Sequence, residues 1–419
     1  MAAGVAGTDQ DNAGEGVTGD RASGRYWKYA VLVGALSMVS PFTVDTFFPA
    51  FYAIADHFKV STWAVQQALT VYMLPMSAMS LVQGPLSDAV GRRRVVLGGL
   101  AIYTVASIGC TLSLTFGMLL AFRVMQGLSA GVGVIVGRAV IRDLYEGHQA
   151  QKLMSITNMI FAVAPAVAPV VGGYMHLWFG WRGVFGFMVL IGAALLIGTY
   201  KAMPETHPPE RRTPLRILDL ARGAGRVLVN REFVLLAVAM AASFATVTTF
   251  IGAAPAVVLK HWHLGETQFA YLFVPLIGGF FAGSLISSRT PGRVRPHAQG
   301  GVGLVLTVAG SASMLLLQAS LDSPPLLLQE LCLSVSAFGI QLAGPPLILR
   351  MIDLFPGNRG AASSVQSCVT IAIGGTVFGF VAPFLAGSML TLAQGSLCCA
   401  ALAFTLWLLA RPPKVAAAA

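Results

Sequence analysis

Twelve stretches of mostly apolar residues, each long enough to cross a bilayer as an α-helix, follow one another along this chain with only short polar connections between them. They lie near 29–53, 64–86, 95–115, 117–137, 153–175, 181–201, 233–259, 268–288, 299–320, 325–349, 361–386 and 388–410. In hydrocarbon every backbone N–H and C=O must be satisfied within its own segment, so such stretches can only be helices. Composition agrees: 11% of the 419 residues are charged, against about 25% in a soluble domain. The expected class is an all-α integral membrane protein of twelve transmembrane helices in two six-helix halves.

Charge supplies the orientation. Of the 27 Lys and Arg residues, Lys59, Arg182 and Lys260 fall in odd-numbered connections and Arg123 lies inside the fourth span; all the others fall in the tails or the even-numbered connections. Positive residues stay on the cytoplasmic side, which places both termini there in a bacterial-type inner (plasma) membrane. The net charge of +10 does not signal nucleic acid, because no folded polar module carries a clustered basic face. All five cysteines sit inside apolar runs and read as small hydrophobes. His261 and His263 fall in a far loop and make no metal site by themselves.

The longest polar connection divides the chain. Residues 1–28 are expected to be a disordered cytoplasmic tail, 29–203 an N-terminal half, 204–232 a cytoplasmic linker, 233–410 a C-terminal half and 411–419 a short tail. The second span exits through GPLSDAVGRRR (84–94), and the eighth through GSLISSRTPGRVR (283–295), which keeps glycines and arginines but lacks the acid. Parallel halves related about the membrane normal are a transporter plan with the substrate site between them.

These residues carry a family resemblance. GPLSDAVGRRR is similar to the signature between spans 2 and 3 of the major facilitator superfamily. Leu119, Arg123, Gln126 and Gly127 resemble the proton-coupling motif of its drug:proton antiporters. APAVAPVVGG (164–173) resembles their antiporter signature, although Ala168 stands where glycine usually precedes the proline. With DTFFPAF at 45–51, RAVIRDLYEG at 138–147 and the PLRILD stretch of the linker, the chain looks most like the bicyclomycin/chloramphenicol resistance branch. The resemblance implies a proton-coupled exporter of small, largely hydrophobic drugs or toxic compounds working by alternating access. An exporter of a natural metabolite, such as an amino acid or sugar, with incidental resistance is the alternative.

Physical chemistry gives each motif a reading of its own. Gly91 permits a tight turn, and Arg92 and Arg93 hold it on the cytoplasmic side. Topology does not explain Asp88. Pairing with Arg92, or with Arg138 and Arg142, and facing the start of span 11 near Arg359 and Gly360, would make Gly84, Asp88, Gly91, Arg92, Arg93 and Arg138 a conformational latch. Asp45 and Arg123 lie at similar depth, and an acid at a helix centre is about 2.5–3.5 kcal/mol uphill. If they face each other, protonation of Asp45 releases the pair and couples protons to transport; a fixed structural ion pair is the plainer reading. Pro165 and Pro169, with Gly172 and Gly173, predict a bent span 5 and a close neighbour. Gly127 with Gly131, and Gly133 with Gly137, read as helix contacts.

Candidate substrate-lining groups are Phe48, Tyr72, Gln126, Asn158, Glu330 and Gln341, with Gln67 and Gln366 as further polar groups at membrane depth. No phosphate-binding G-x-x-x-x-G-K-[ST] loop is present, so the energy source is a gradient rather than ATP. The deep ionisable groups are scattered over spans 1, 4 and 10 and do not cluster as an enzyme's would. Neither a catalytic residue, a cofactor nor a metal is expected. The expected partners are protons, a small-molecule substrate and the bilayer, with the chain acting as a monomer.

Overall fold

In the computed structural model residues 12–290 and 292–410 are described, the side chains of 12–26 and of His148 excepted. All secondary structure among these residues is helical. The N-terminal half comprises α1 (Asn12–Asp45), α2 (Phe51–Phe58), α3 (Thr62–Val90), α4 (Arg92–Thr111), α5 (Phe116–Ala130), α6 (Val132–Leu144) and α7 (Gly147–Ala202). The connection contains α8 (Ile217–Val229). The C-terminal half comprises α9 (Arg231–Gly252), α10 (Ala270–Arg289), α11 (Pro296–Ser320), α12 (Leu326–Asp353), α13 (Arg359–Thr376), α14 (Ala382–Leu385) and α15 (Met389–Leu409). Among the described residues 10 helices are long and apolar enough to span a membrane. Two more spans emerge from the geometry. The 56-residue α7 is two spans joined at Gly180, whose φ of 67° interrupts the helix; Thr62–Val90, with Gln66, Gln67, Thr70 and Asp88 along it, is the other span outside those 10.

Helix ends follow local chemistry. Ser61, Thr115 and Ser388 accept hydrogen bonds from Ala64, Met118 and Thr391 N–H at the starts of α3, α5 and α15. Gly91, at φ 111°, ends α3 and begins α4 in a conformation costly for any residue with a side chain. The first helix begins at Asn12; residues 1–11 and 411–419 of the two expected tails lie outside the described residues. Helical φ/ψ continue through Pro165 and Pro169, and the break at Gly180, where glycine tolerates a positive φ, falls between the fifth and sixth spans.

Glycines set the helix spacing. A Cβ at Gly127 would collide with the carbonyl of Tyr72, one at Gly133 with that of Leu36, and one at Gly172 with that of Thr46. The C-terminal half does the same with Gly279 against Ser334 and with Gly303 facing Gly339. Lipid gives no hydrophobic drive for such contacts, so backbone approach and dispersion hold the helices.

For reference, the side bearing Gly91 and α8 is called the linker side and the opposite one the far side. Contacts between the halves concentrate on the far side and along α3 and α13. Phe48 packs between Phe273 and Phe378, with ring centroids 6.0 and 6.3 Å away. Gln66 Nε2 donates to the Gly252 carbonyl and Gln67 Nε2 to that of Gly379, each at 2.7 Å. His176 lies 3.5 Å from Glu266, and Gly173 abuts the Glu266 backbone. Toward the linker side Arg138, Asn158 and Phe161 are exposed. The halves therefore meet closely on the far side.

Candidate functional site

The N-terminal half buries two opposite charges. Arg123, on α5, is fully buried. Its Nε donates to the Ala68 carbonyl at 3.1 Å, and its Nη1 to the Thr43 carbonyl at 3.2 Å and to Gln126 Oε1 at 3.1 Å. Gln126 Nε2 in turn donates to Ser107 Oγ at 2.8 Å. The guanidinium stacks near Tyr72, Phe47 and Phe185, 4.8, 5.1 and 6.0 Å from the ring centroids. Its Nη2 is buried without a hydrogen-bond partner. No carboxylate among the described residues pairs with this cation.

Asp45 is the last residue of α1 and is 5% exposed. Its carboxyl makes no hydrogen bond or ion pair among the described residues, and the pair with Arg123 anticipated from equal depth is not formed. The reason is rotational: Nη1 reaches α1 at the Thr43 carbonyl, two residues before Asp45, and successive residues on a helix point about 100° apart. The chain leaves the helix at Thr46 and resumes in a short 3₁₀ turn, Phe48–Ala50, before α2. Asp45 thus sits at a helix end, directly before the two-residue turn of Thr46 and Phe47.

A second cluster surrounds Gly91. Arg92 pairs with Asp88 at 2.5 Å and with Asp143 at 3.2 Å. The residues that complete it come from 204–213: Glu205 Oε1 accepts from Arg92 N–H at 2.9 Å, Thr206 Oγ1 donates to Asp143 Oδ2 at 2.9 Å, and Thr213 N–H donates to the Asp88 carbonyl at 3.3 Å. Glu205 puts an anion at the start of α4, where Gly91 has no side chain to cap it. Arg93 donates to the Tyr200 carbonyl at 2.6 Å and lies over its ring. Gly84 has only Ile135 near its missing side chain, and Arg138 is exposed with no ion-pair partner among the described residues. Asp88 therefore pairs within its own half and not with the start of α13. Sequence reasoning missed Asp143 and Glu205; an acid a few residues after Arg138, and another just past the sixth span, were the available signals.

The candidate substrate residues are not brought together. Phe48, Tyr72 and Gln126 have no exposed surface: Phe48 belongs to the far-side seal, and the other two cage Arg123. Their polarity at membrane depth reflects that cage. Asn158 is exposed on the linker-side half of the first span of α7 and Gln341 is half-buried on α12 against Gly283. Glu330, near the far end of α12, has Oε1 buried without a partner. In the C-terminal half Arg350, at the end of α12, pairs with Glu232 at the start of α9, an ion pair absent from the sequence reading.

The family described as Major Facilitator Superfamily matches residues 33–379. The bicyclomycin resistance protein homolog of Haemophilus influenzae is 29% identical over 360 residues, covering 84% of this chain and 88% of that protein. The multidrug resistance protein MdtL of Escherichia coli is 29% identical over 251 residues, 60% of this chain and 63% of that protein. Among solved structures, a D-xylose-proton symporter superposes with a TM-score of 0.70 at 13% identity, covering 91% of this chain and 97% of that one; at that identity the likeness is one of fold.

Proposed function

Because the chain belongs to the major facilitator superfamily, and so is a multi-pass membrane transporter of small molecules, we propose that it exports small, largely hydrophobic compounds in exchange for protons. On this reading the linker side is the cytoplasmic side, by the distribution of Lys and Arg, with both termini in the cytoplasm of an inner-membrane protein. Relatives named for bicyclomycin and multidrug resistance support a drug-like substrate.

One observation carries the proton coupling: Asp45 and Arg123 are buried in the same half without neutralising each other. Burying a charge without a counter-charge is expensive, and Arg123 still has Nη2 to offer. The proposed cycle uses both. In the inward-facing state Asp45 carries its proton. Substrate entering from the cytoplasm drives that proton out, and the carboxylate left behind turns onto Arg123 Nη2, which the turn after Asp45 permits. The new pair draws α1 toward α5, loosens the far-side packing around Phe48, and opens the outer side. There a proton taken up by Asp45 releases Arg123, substrate leaves, and the halves rock back. Asp88 and Arg92 hold the cytoplasmic turn rigid, so that it can engage the C-terminal half when the cytoplasmic side closes.

Proteoliposomes with an acidic lumen test this reading by recording proton release as antibiotics and metabolites are added. The parent protein is expected to release protons with its substrates, and Asp45→Asn to bind substrate without releasing them. Unchanged release from Asp45→Asn would move the coupling to Glu330 or elsewhere; no compound-dependent release from the parent would overturn antiport itself.

A further inference from the structure

The connection between the halves carries a helix with three distinct faces. In α8, Leu220, Gly223, Ala224 and Val227 turn toward the protein. Val227 is fully buried in a cluster with Phe233 and Leu236, Ala224 packs on the same cluster, and the missing side chain of Gly223 faces Asn358 and Ala361 at the start of α13. At 3.6 residues per turn, a second face holds Ile217, Leu218, Leu228 and Val229, which are 70, 63, 49 and 84% exposed. The third face carries Arg222 and Arg226, both exposed.

A water-facing helix would place polar residues on both faces away from its core. An apolar stripe beside a cationic one is instead the pattern of a helix lying in the headgroup region of a bilayer. Position agrees, because α8 packs on the first turns of α9 and α13, where spans leave the membrane. Charge selects the occupant. The stretch from Pro209 to Arg231 holds Arg211, Arg212, Arg216, Arg222, Arg226 and Arg231 against only Glu210 and Asp219. Asp219 lies 3.6 Å from Arg222 and 4.0 Å from Arg216, and Arg226 has no ion-pair partner among the described residues.

We propose that α8 docks on anionic phospholipids of the leaflet on the linker side, with Ile217, Leu218, Leu228 and Val229 among the upper acyl chains and Arg222 and Arg226 on headgroup phosphates. The docked helix belongs to a strap fastened to both halves. Glu205 and Thr213 tie it to Arg92 and Asp88, while Gly223 and Val227 tie it to the C-terminal half. Lipid charge therefore bears on the turn between α3 and α4 and on the start of α13 together.

The test places a polarity-sensitive fluorophore on Val229→Cys in the full chain, with the five native cysteines replaced, in vesicles of phosphatidylcholine with or without phosphatidylglycerol. Emission is expected to shift to the blue in vesicles, and further with phosphatidylglycerol. Arg222→Glu with Arg226→Glu should abolish the phosphatidylglycerol increment, each arginine being worth roughly fivefold in partitioning to an anionic surface. Leu218→Asp should lose the shift in both lipids. Water-like emission in both vesicles overturns the proposal. A shift equal in both lipids overturns its anionic part, and one seen in native membranes but not in purified proteoliposomes assigns the face to a protein partner instead. Because none of these readouts requires transport, they are independent of the antiport reading.

Discussion

Replacing Gln66 and Gln67 together by leucine removes two donors from the far-side seal while keeping side-chain volume. Each donates at 2.7 Å to a backbone carbonyl of the other half. Those carbonyls lie at irregular points, Gly252 at the end of α9 and Gly379 within the π-helical turn Val377–Val381, where helical hydrogen bonding leaves oxygens to be satisfied from outside. A hydrogen bond contributes about 0.5–1.5 kcal/mol net, so the double variant destabilises the sealed state by about 1–3 kcal/mol. Separation of the halves exposes the carbonyls to water, so the open state is not penalised equally. At about 1.4 kcal/mol per decade the equilibrium moves roughly 5- to 150-fold toward the far-side-open state. Electron–electron distance measurements between nitroxides at Lys59 and Asp322, exposed far-side positions of the two halves, read this out. The long-distance population is expected to rise by at least the lower figure. An unchanged distribution would show that the apolar contacts of Phe48 carry the seal and that the glutamines only fill it.

Three further outcomes follow from the same geometry. Gly91→Ala forces a side chain into φ 111° and against the Glu205 carboxylate, costing about 1–3 kcal/mol; a lowered melting temperature and weakened transport are expected, and Glu205→Ala in the same chain should recover part of the loss. Gly127→Ala pushes α5 away from the Tyr72 carbonyl, which typically costs about 1–3 kcal/mol and should lower the thermal midpoint in detergent. Arg123→Lys keeps the charge but loses the planar fork that reaches the Ala68 and Thr43 carbonyls and Gln126 together, so substrate-driven proton release should fall steeply while the protein remains folded by size-exclusion and circular dichroism.

The spans were legible because hydropathy and length are properties of the chain read in one dimension. The turn at Gly91 and the close approaches of Gly127, Gly133 and Gly172 were legible too, since small residues inside apolar helices have few other uses. Depth could be counted along each helix, and it placed Asp45 and Arg123 at one level. Rotation about each helix axis could not be counted. It decided that Arg123 meets the Thr43 carbonyl rather than the Asp45 carboxyl, that Tyr72 and Gln126 close around the guanidinium, and that Gln66, on the far-side turn of α3, reaches across to Gly252. Likewise Glu205, just past α7 on the linker side, caps α4, a pairing set by where α7 finishes. The sequence alone determined what each helix is and how deep each charge lies; only tertiary packing decided which face meets which neighbour, because that choice minimises the free energy of all the helices together and is written in no single segment.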